Sequence, residues 1–398
     1  MLEAFGALWR LAFLAPQDRP TIKLLGKGLS RHAGHDFLVF RLWFLALARL
    51  PIGPTLAMSL QMRPQDLLIP RPEGLYCPPG DFYIDPVRPV DRAVITHGHS
   101  DHARAGHQSV LATPETLAIM TARYGEGFCA QAQGLAYGER VNHQGVSVRL
   151  SPAGHVMGSA QAVVERQGLR IVVSGDFKRR RDPTCASFEP VPCDVFISEA
   201  TFALPIFTHP DDREEAAKLL RSVAAHPERT HLLGAYALGK AQRLIVLLRE
   251  AGYGETIFLH GAMERLCRLY ESFGVALGPL APATIADRGT RRDFAGKIVI
   301  APPSAFADRW AQRFCDPVDC FASGWMRVKQ RAKQRGVELP LIISDHADWQ
   351  ELTRTALEVA PQELWITHGR DDALAHWAKG QGLTARPLRL VGYDDEAE

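Results

Sequence analysis

The chain has 398 residues, enough for two or three domains with a core that needs no disulfide staples. Apolar residues make up 46% and charged residues 23%, the balance of an ordinary globular fold rather than of a disordered or membrane-embedded chain. A net charge of +2 is too small to mark a nucleic-acid binder by itself, so any basic surface has to come from local clustering.

In chain order, residues 1–61 stand apart. Their apolar segment from Phe37 to Leu60 is interrupted by Arg41, Arg49, Pro51 and Pro54, and its longest clean run is Leu42 to Ala48. That is far short of the roughly 20 apolar residues of a membrane span, and the segment is not built like a signal peptide. It is expected to be an N-terminal extension or a misassigned start, with Met62 opening the first domain. The cysteines at 77, 129, 185, 193, 267, 315 and 320 are odd in number and form no CxxC pair, which points to a reducing cytoplasm.

From about residue 80, short β-branched strands alternate with helical patterns. Strands are expected at Arg92–Thr96, Val146–Leu150, Leu169–Ser174, Val195–Ser198, His231–Gly234, Thr256–Leu259, Lys297–Ile300, Leu341–Ile343 and Glu363–Thr367. Helices are expected at Lys240–Glu250, Met263–Phe273 and Trp349–Val359. The stretch 202–335 reads as a βαβ-type unit of its own, inserted between two parts of a core, 62–201 and 336–398.

The first of those strands runs into Thr96-His97-Gly98-His99-Ser100-Asp101-His102. His97 and His99, two apart, share one side of an extended backbone. Asp101 and His102 fall where the chain turns, facing a second point nearby. Imidazole and carboxylate are zinc ligands, and two such groups suit a pair of ions about 3.5–4 Å apart. Three later segments each place a ligand-type residue after a strand: His155 among small residues, Asp176 closing Val173-Ser174-Gly175, and His368 in Thr367-His368-Gly369. Asp176 is suited to bridging two ions. Singly these would be turn residues; together with the 97–102 cluster they make a ligand set.

This motif set resembles the metallo-β-lactamase superfamily, with HxHxDH at His97, His99, Asp101 and His102 followed by His155 and Asp176 in order. Ser198-Glu199-Ala200-Thr201, Ser344-Asp345-His346-Ala347 and Thr367-His368-Gly369 resemble the β-CASP nuclease branch, as does the cap stretch Ala235 to Gln242. The segment Phe82 to Asp91 is similar to the ligase-associated DNA exonuclease family. The resemblance runs from Met62 to about Leu390. It implies an α/β fold, a metallo-β-lactamase αββα sandwich with an inserted β-CASP-like α/β cap. It implies two zinc ions, or manganese in their place: His97, His99 and His155 on one, Asp101, His102 and His368 on the other, Asp176 bridging. Glu199 and His346 would be catalytic together with Asp101, His346 protonating the leaving oxygen and Glu199 orienting it.

A phosphodiester substrate needs cations. Lys178 and Arg179 lie just after Asp176, and Lys240 opens a helix after Gly239; these are the expected phosphate contacts. A second run, from Arg327 to Arg335, is as consistent with a solvated face. The implied activity is DNA exonuclease in repair beside a DNA ligase and a ligase-associated helicase, with no membrane partner. An RNA nuclease of the same branch is the alternative, because His368 is shared with RNA-processing members. A small-molecule hydrolase or a non-catalytic zinc-stabilised module fits the cap and the complete ligand set less well.

Overall fold

The computed structural model describes residues 62–284 and 294–390, and the expectation for residues 1–61 lies outside them. Among the described residues no helix is long and apolar enough to cross a membrane.

Two mixed sheets form the core. The first holds β1 (Ile69–Arg71), β2 (Gly74–Cys77), β3 (Phe82–Ile84), β4 (Arg92–Val94), β5 (His107–Ala112) and β6 (Cys129–Gly134), in sequence order. The second is built from β7 (Arg140–His143), β8 (Val146–Pro152), β9 (Ala160–Arg166), β10 (Leu169–Val173) and β11 (Val195–Ala200), and is completed by two strands from the end of the chain. Alternation along each strand decides which side it faces. Ile171 and Val173 of β10, and Val195 and Ile197 of β11, pack toward Leu75, Ile84 and Val94 of the first sheet. Val172 and Phe196, one residue out of phase, point to the opposite side.

Helix α1 (Pro114–Tyr124) covers the outer side of the first sheet through Leu117 and Met120 on Ala93 and Val110. Its N-terminus is closed by Thr113, whose hydroxyl accepts from Thr116 N at 3.2 Å.

A third sheet lies between β11 and the last two strands of the second. It contains β12 (His231–Gly234), β13 (Ile257–Leu259), β14 (Leu280–Pro282), β15 (Ile298–Ala301), β16 (Val318–Ala322) and β17 (Leu339–Leu341), all parallel, in the order β14-β13-β15-β12-β16-β17. Ile298 and Ile300 face α2 (Asp212–Ala225), α3 (Lys240–Glu250) and α4 (Gly261–Ser272), while Val299 and Ala301 meet Phe294 and Phe314. Apolar surface on both faces is why these strands read as unbroken hydrophobic runs. The expected boundary at 335 is corrected here: Cys320 to Ala322 of β16 pair in parallel with Leu339 to Leu341, so the cap sheet includes β17.

The chain then returns to the second sheet through α5 (Trp349–Val359), β18 (Glu363–Gly369), α6 (Asp371–Gly380) and β19 (Thr384–Pro387). Leu352, Ala356, Leu374 and Ala378 cover Val172, Phe196, Leu364 and Ile366. The order helix, sheet, sheet, helix with an inserted α/β cap is the architecture expected from the sequence.

Candidate metal centre

Every expected ligand lies at the end of a strand or in the loop after it, on one rim of the sandwich. His97, His99, His155 and Asp176 form one compact group, with one ligand atom from each within 4.8 Å of the others. His97 Nε2 stands 3.2 Å from His99 Nδ1 and 3.3 Å from Asp176 Oδ2, and His155 Nε2 stands 3.0 Å from His99 Nδ1. On the other side of Asp176, His102 Nε2 is 3.5 Å from Asp176 Oδ2 and 3.7 Å from Asp101 Oδ2. The His368 ring stacks on His102 at 5.1 Å. His368 has φ 54, and a Cβ on the following Gly369 would sit 2.2 Å from Ala200 O. The bulge where β18 meets β11 therefore needs glycine and aims the His368 side chain inward.

The outer nitrogens of the imidazoles show what the inner ones can do. Carbonyl and carboxylate oxygens only accept, so an imidazole facing one must donate. His155 Nδ1 donates to Asp345 O at 2.9 Å, His99 Nε2 to Leu238 O at 3.2 Å, and His102 Nδ1 to Asp85 Oδ2 at 2.8 Å. Thr96 Oγ1 donates to Asp85 Oδ2 at 2.6 Å and so accepts from His97 Nδ1 at 3.1 Å. In the neutral rings the inner nitrogens then carry lone pairs only. The inner nitrogens of neutral His97, His99 and His155 carry lone pairs that converge with Asp176, one ligand atom of each lying within 4.8 Å of the others. Such a cage is an acceptor set that fits a divalent cation, held by the outer hydrogen bonds that orient metal-bound imidazoles.

Protonation follows the same geometry. Burial, reinforced by the neighbouring imidazoles, pushes His97 and His155 well below the ordinary histidine range, and burial also lowers His99. His368 is pushed down to about 4, by burial and then by His102. Neutral imidazole is the form that ligates a metal. For His102, burial opposes the charge, but Asp176, Asp85 and Asp101 outweigh it and raise the group to about 10. Without a cation, these carboxylates gather a proton instead.

Beside the cage, His346 Nδ1 lies 3.0 Å from Glu199 Oε2, and Glu199 Oε1 accepts from Phe177 N at 2.7 Å. Glu199 is fully buried and held from two sides, and it engages His346 through Nδ1. Asp176, Glu199 and His346 form a second compact group of ligand-type atoms.

The cluster lies in a cleft of about 1370 Å³ between core and cap, lined by His99, Asp101, His102, Asp176, His346 and His368. The expected phosphate contacts do not line it. Lys178 is buried, donating to Ser344 O and lying 3.7 Å from Asp212 Oδ2. Lys240 is fully buried and paired with Asp345 Oδ2 at 3.1 Å. The helix end before it is closed, because a Cβ on Gly239 would sit 2.3 Å from Val156 Cγ1. Arg179 pairs with Glu358 at 2.7 Å and lies over the Phe188 ring. These three are corrected from substrate contacts to internal partners, since the carboxylates that hold them leave no charge for a phosphate.

The cations that do line the cleft are Arg104, Arg123, Arg265, Arg331 and Arg370, all exposed. Among the described residues none is in an ion pair, and Arg123 donates to Gly98 O at 2.9 Å. Only Arg331 belongs to a run noticeable in the sequence. The others are scattered, and no local signal marks them. Asp85, which holds both Thr96 and His102, was also missed as a functional residue. Its φ of 44 is the backbone sign of a special role, which a sequence does not display.

Residues 85–234 match the family model described as the metallo-beta-lactamase superfamily, and the chain carries that superfamily's domain. Among curated relatives, it is 30% identical over 332 residues to a probable DNA ligase of Opitutus terrae, spanning 82% of this chain and 31% of that one. It is 36% identical over 118 residues to cleavage and polyadenylation specificity factor subunit 3 of Dictyostelium discoideum, covering 29% of this chain and 15% of that one. Endoribonuclease YSH1 of Gibberella zeae is 32% identical over 157 residues, with 38% and 18% covered. The chain thus spans about a third or less of the length of these relatives.

Proposed function

We propose that the chain is a metal-dependent phosphodiester hydrolase, a nuclease that degrades DNA from an end. The observation that carries this is an acceptor-only histidine–aspartate cage in a cleft lined by five arginines without carboxylate partners among the described residues. A small-molecule hydrolase has no use for that many cations; a phosphate polymer does.

The residues fit two zinc ions: His97, His99 and His155 for one, Asp101, His102 and His368 for the other, with Asp176 between them. Bound zinc supplies Lewis-acid polarisation of the phosphate and lowers the pKa of water toward ~7. The chain does the rest. The arginines lining the cleft hold the backbone phosphates on either side of the scissile bond. Glu199 fixes His346 through Nδ1, so the proton on Nε2 is aimed into the cleft for the departing sugar oxygen. With Glu199 engaged by Phe177 N and His346, we assign this pair to proton transfer rather than to a metal.

The choice of DNA rests on the probable DNA ligase, which aligns over most of this chain, and association with a ligase follows from the same relative. The relatives named for RNA cleavage and polyadenylation align over less of it and supply the second reading, an RNA nuclease. End-labelled single- and double-stranded DNA and RNA, with and without chelator, test both. DNA shortened faster than RNA and only without chelator is expected. Faster RNA cleavage transfers the reading to RNA, and full activity in chelator ends it. Elemental analysis of protein purified without added metal is expected to give two zinc ions per chain, with manganese the other candidate.

A further inference from the structure

Trp325 lines the same cleft, half-buried, in the turn Gly324–Arg327 at the end of the cap sheet. It is fixed from behind. Its ring meets Phe202 at 4.9 Å and Phe207 at 5.0 Å, and its amide donates to Ser323 Oγ at 3.2 Å. Gly324 makes the approach feasible, since a Cβ there would lie 2.4 Å from Phe202. Phe202 also lies 6.2 Å from His346, so one ring separates Trp325 from the proton-transfer pair. The Arg331 guanidinium sits 4.0 Å from the Trp325 ring centroid, and Arg331 is an exposed residue.

An apolar core does not require an indole at the rim of the cleft capped by an exposed guanidinium that makes no ion pair among the described residues. We infer that Trp325 and Arg331 form a platform on which an unpaired base of the substrate stacks while its phosphate is at the metal cluster. The inference rests on the phosphodiesterase reading and adds a requirement to it. A stacked base must have left its partner, so the cleft accepts a single strand. Base–aromatic stacking tolerates any base, and the adjacent guanidinium adds a planar cation that serves base and phosphate alike. Of the cationic run from Arg327 to Arg335, Arg331 is the member this assigns to substrate.

The test is binding of a fluorescein-labelled single-stranded oligodeoxynucleotide, measured by anisotropy, beside an abasic strand of equal length and charge. Trp325→Leu is expected to weaken binding of the intact strand roughly 5- to 150-fold, the range of one stacked base. On the abasic strand, wild type and Trp325→Leu should bind alike. Trp325→Phe, which keeps a ring, should recover most of the loss. Arg331→Ala, at an exposed position, should weaken the intact strand more than the abasic one. Equal binding of the intact strand by wild type and Trp325→Leu overturns the platform. So does an equal loss on both strands, and so does a wild type that binds neither. Hydrolysis of bis(p-nitrophenyl) phosphate by the wild type reads the underlying activity separately. Hydrolysis without base-dependent binding removes the platform alone, and absence of hydrolysis removes the phosphodiesterase reading.

Discussion

Two buried polar assemblies lie back to back in this molecule, and they are in opposite electrical condition. The histidine cage is all acceptors: imidazole lone pairs grouped around Asp176. Behind it, Lys178, Lys240 and Arg243 meet Asp182, Asp212 and Asp345, a net of three cations against three carboxylates. Fully buried Arg243 pairs with Asp212 and reaches Asp182 at 3.4 Å, and Lys240 reaches Asp345 at 3.1 Å. Asp345 belongs to both, with its carboxylate in the net and its carbonyl accepting from His155 Nδ1. The difference separates scaffold from site. A buried assembly whose charges balance needs no ligand, whereas one that presents lone pairs alone is completed only by a cation.

Removing the carboxylate shared by the two ligand groups should separate the assemblies most sharply. Asp176→Ala is expected to lose bound metal and reduce hydrolysis to background together, while the balanced net keeps the chain folded. Elemental analysis beside circular dichroism checks it, and a variant that keeps both ions sinks the shared-ligand assignment. His346→Ala should instead leave metal content nearly unchanged and slow turnover about 10²–10⁴-fold, the usual contribution of a positioned acid. Loss of an ion from this variant would move His346 into the metal's ligand set.

The net should respond in stability. Arg243→Met roughly preserves volume but leaves Asp182 buried without the cation it pairs with and Asp212 with Lys178 alone. Removing one partner of a buried pair costs about 3–5 kcal/mol. Urea denaturation of the metal-loaded protein measures it. A loss below about 1 kcal/mol would show that these charges are better solvated than their burial implies.

The contrast also explains what was legible in the sequence. His97 to His102 stood out because four ligand-type residues fall within six positions, and local spacing reports local geometry. His155, Asp176 and His368 were readable as strand-end residues once that cluster was seen. Individual strands and the βαβ character of the cap were readable from β-branched runs alternating with helical patterns. The two-sheet sandwich came only from the family resemblance, and β1, β2, β3, β5 and β6 were not read from the sequence. Lys178 and Lys240 were misread because nearness in sequence to Asp176 or to a helix start says nothing about which carboxylate waits on the far side. Asp212 and Asp345, which capture them, are 34 and 105 residues away. The cleft arginines come from different elements of core and cap, so only the folded chain assembles them. β17 was placed at Leu341–Ile343 and lies at Leu339–Leu341, a shift that short apolar runs with a proline do not resolve.

The smallest expected effect tests whether the cage is held from outside as well as from within. Asp85 is not in the ligand set but holds one of its members, His102. Its Oδ1 accepts from Thr96 N at 2.7 Å, and its Oδ2 accepts from both Thr96 Oγ1 and His102 Nδ1. Asp85→Asn keeps the shape, and asparagine tolerates the left-handed backbone that this position adopts. Yet the amide cannot satisfy three donors. With its nitrogen toward His102 it opposes two of them; turned the other way, it opposes Thr96 N. The His102 ring then loses its fixed orientation, and His97 loses part of its support through Thr96. Metal affinity should fall about 10- to 100-fold, with turnover largely restored when metal is added in excess. Isothermal titration with zinc, followed by assay at saturating zinc, distinguishes the outcomes. An unchanged affinity would mean that the cage is rigid without Asp85. A turnover defect that excess metal does not repair would mean that His102 orientation matters to the chemistry itself and not only to holding the ion.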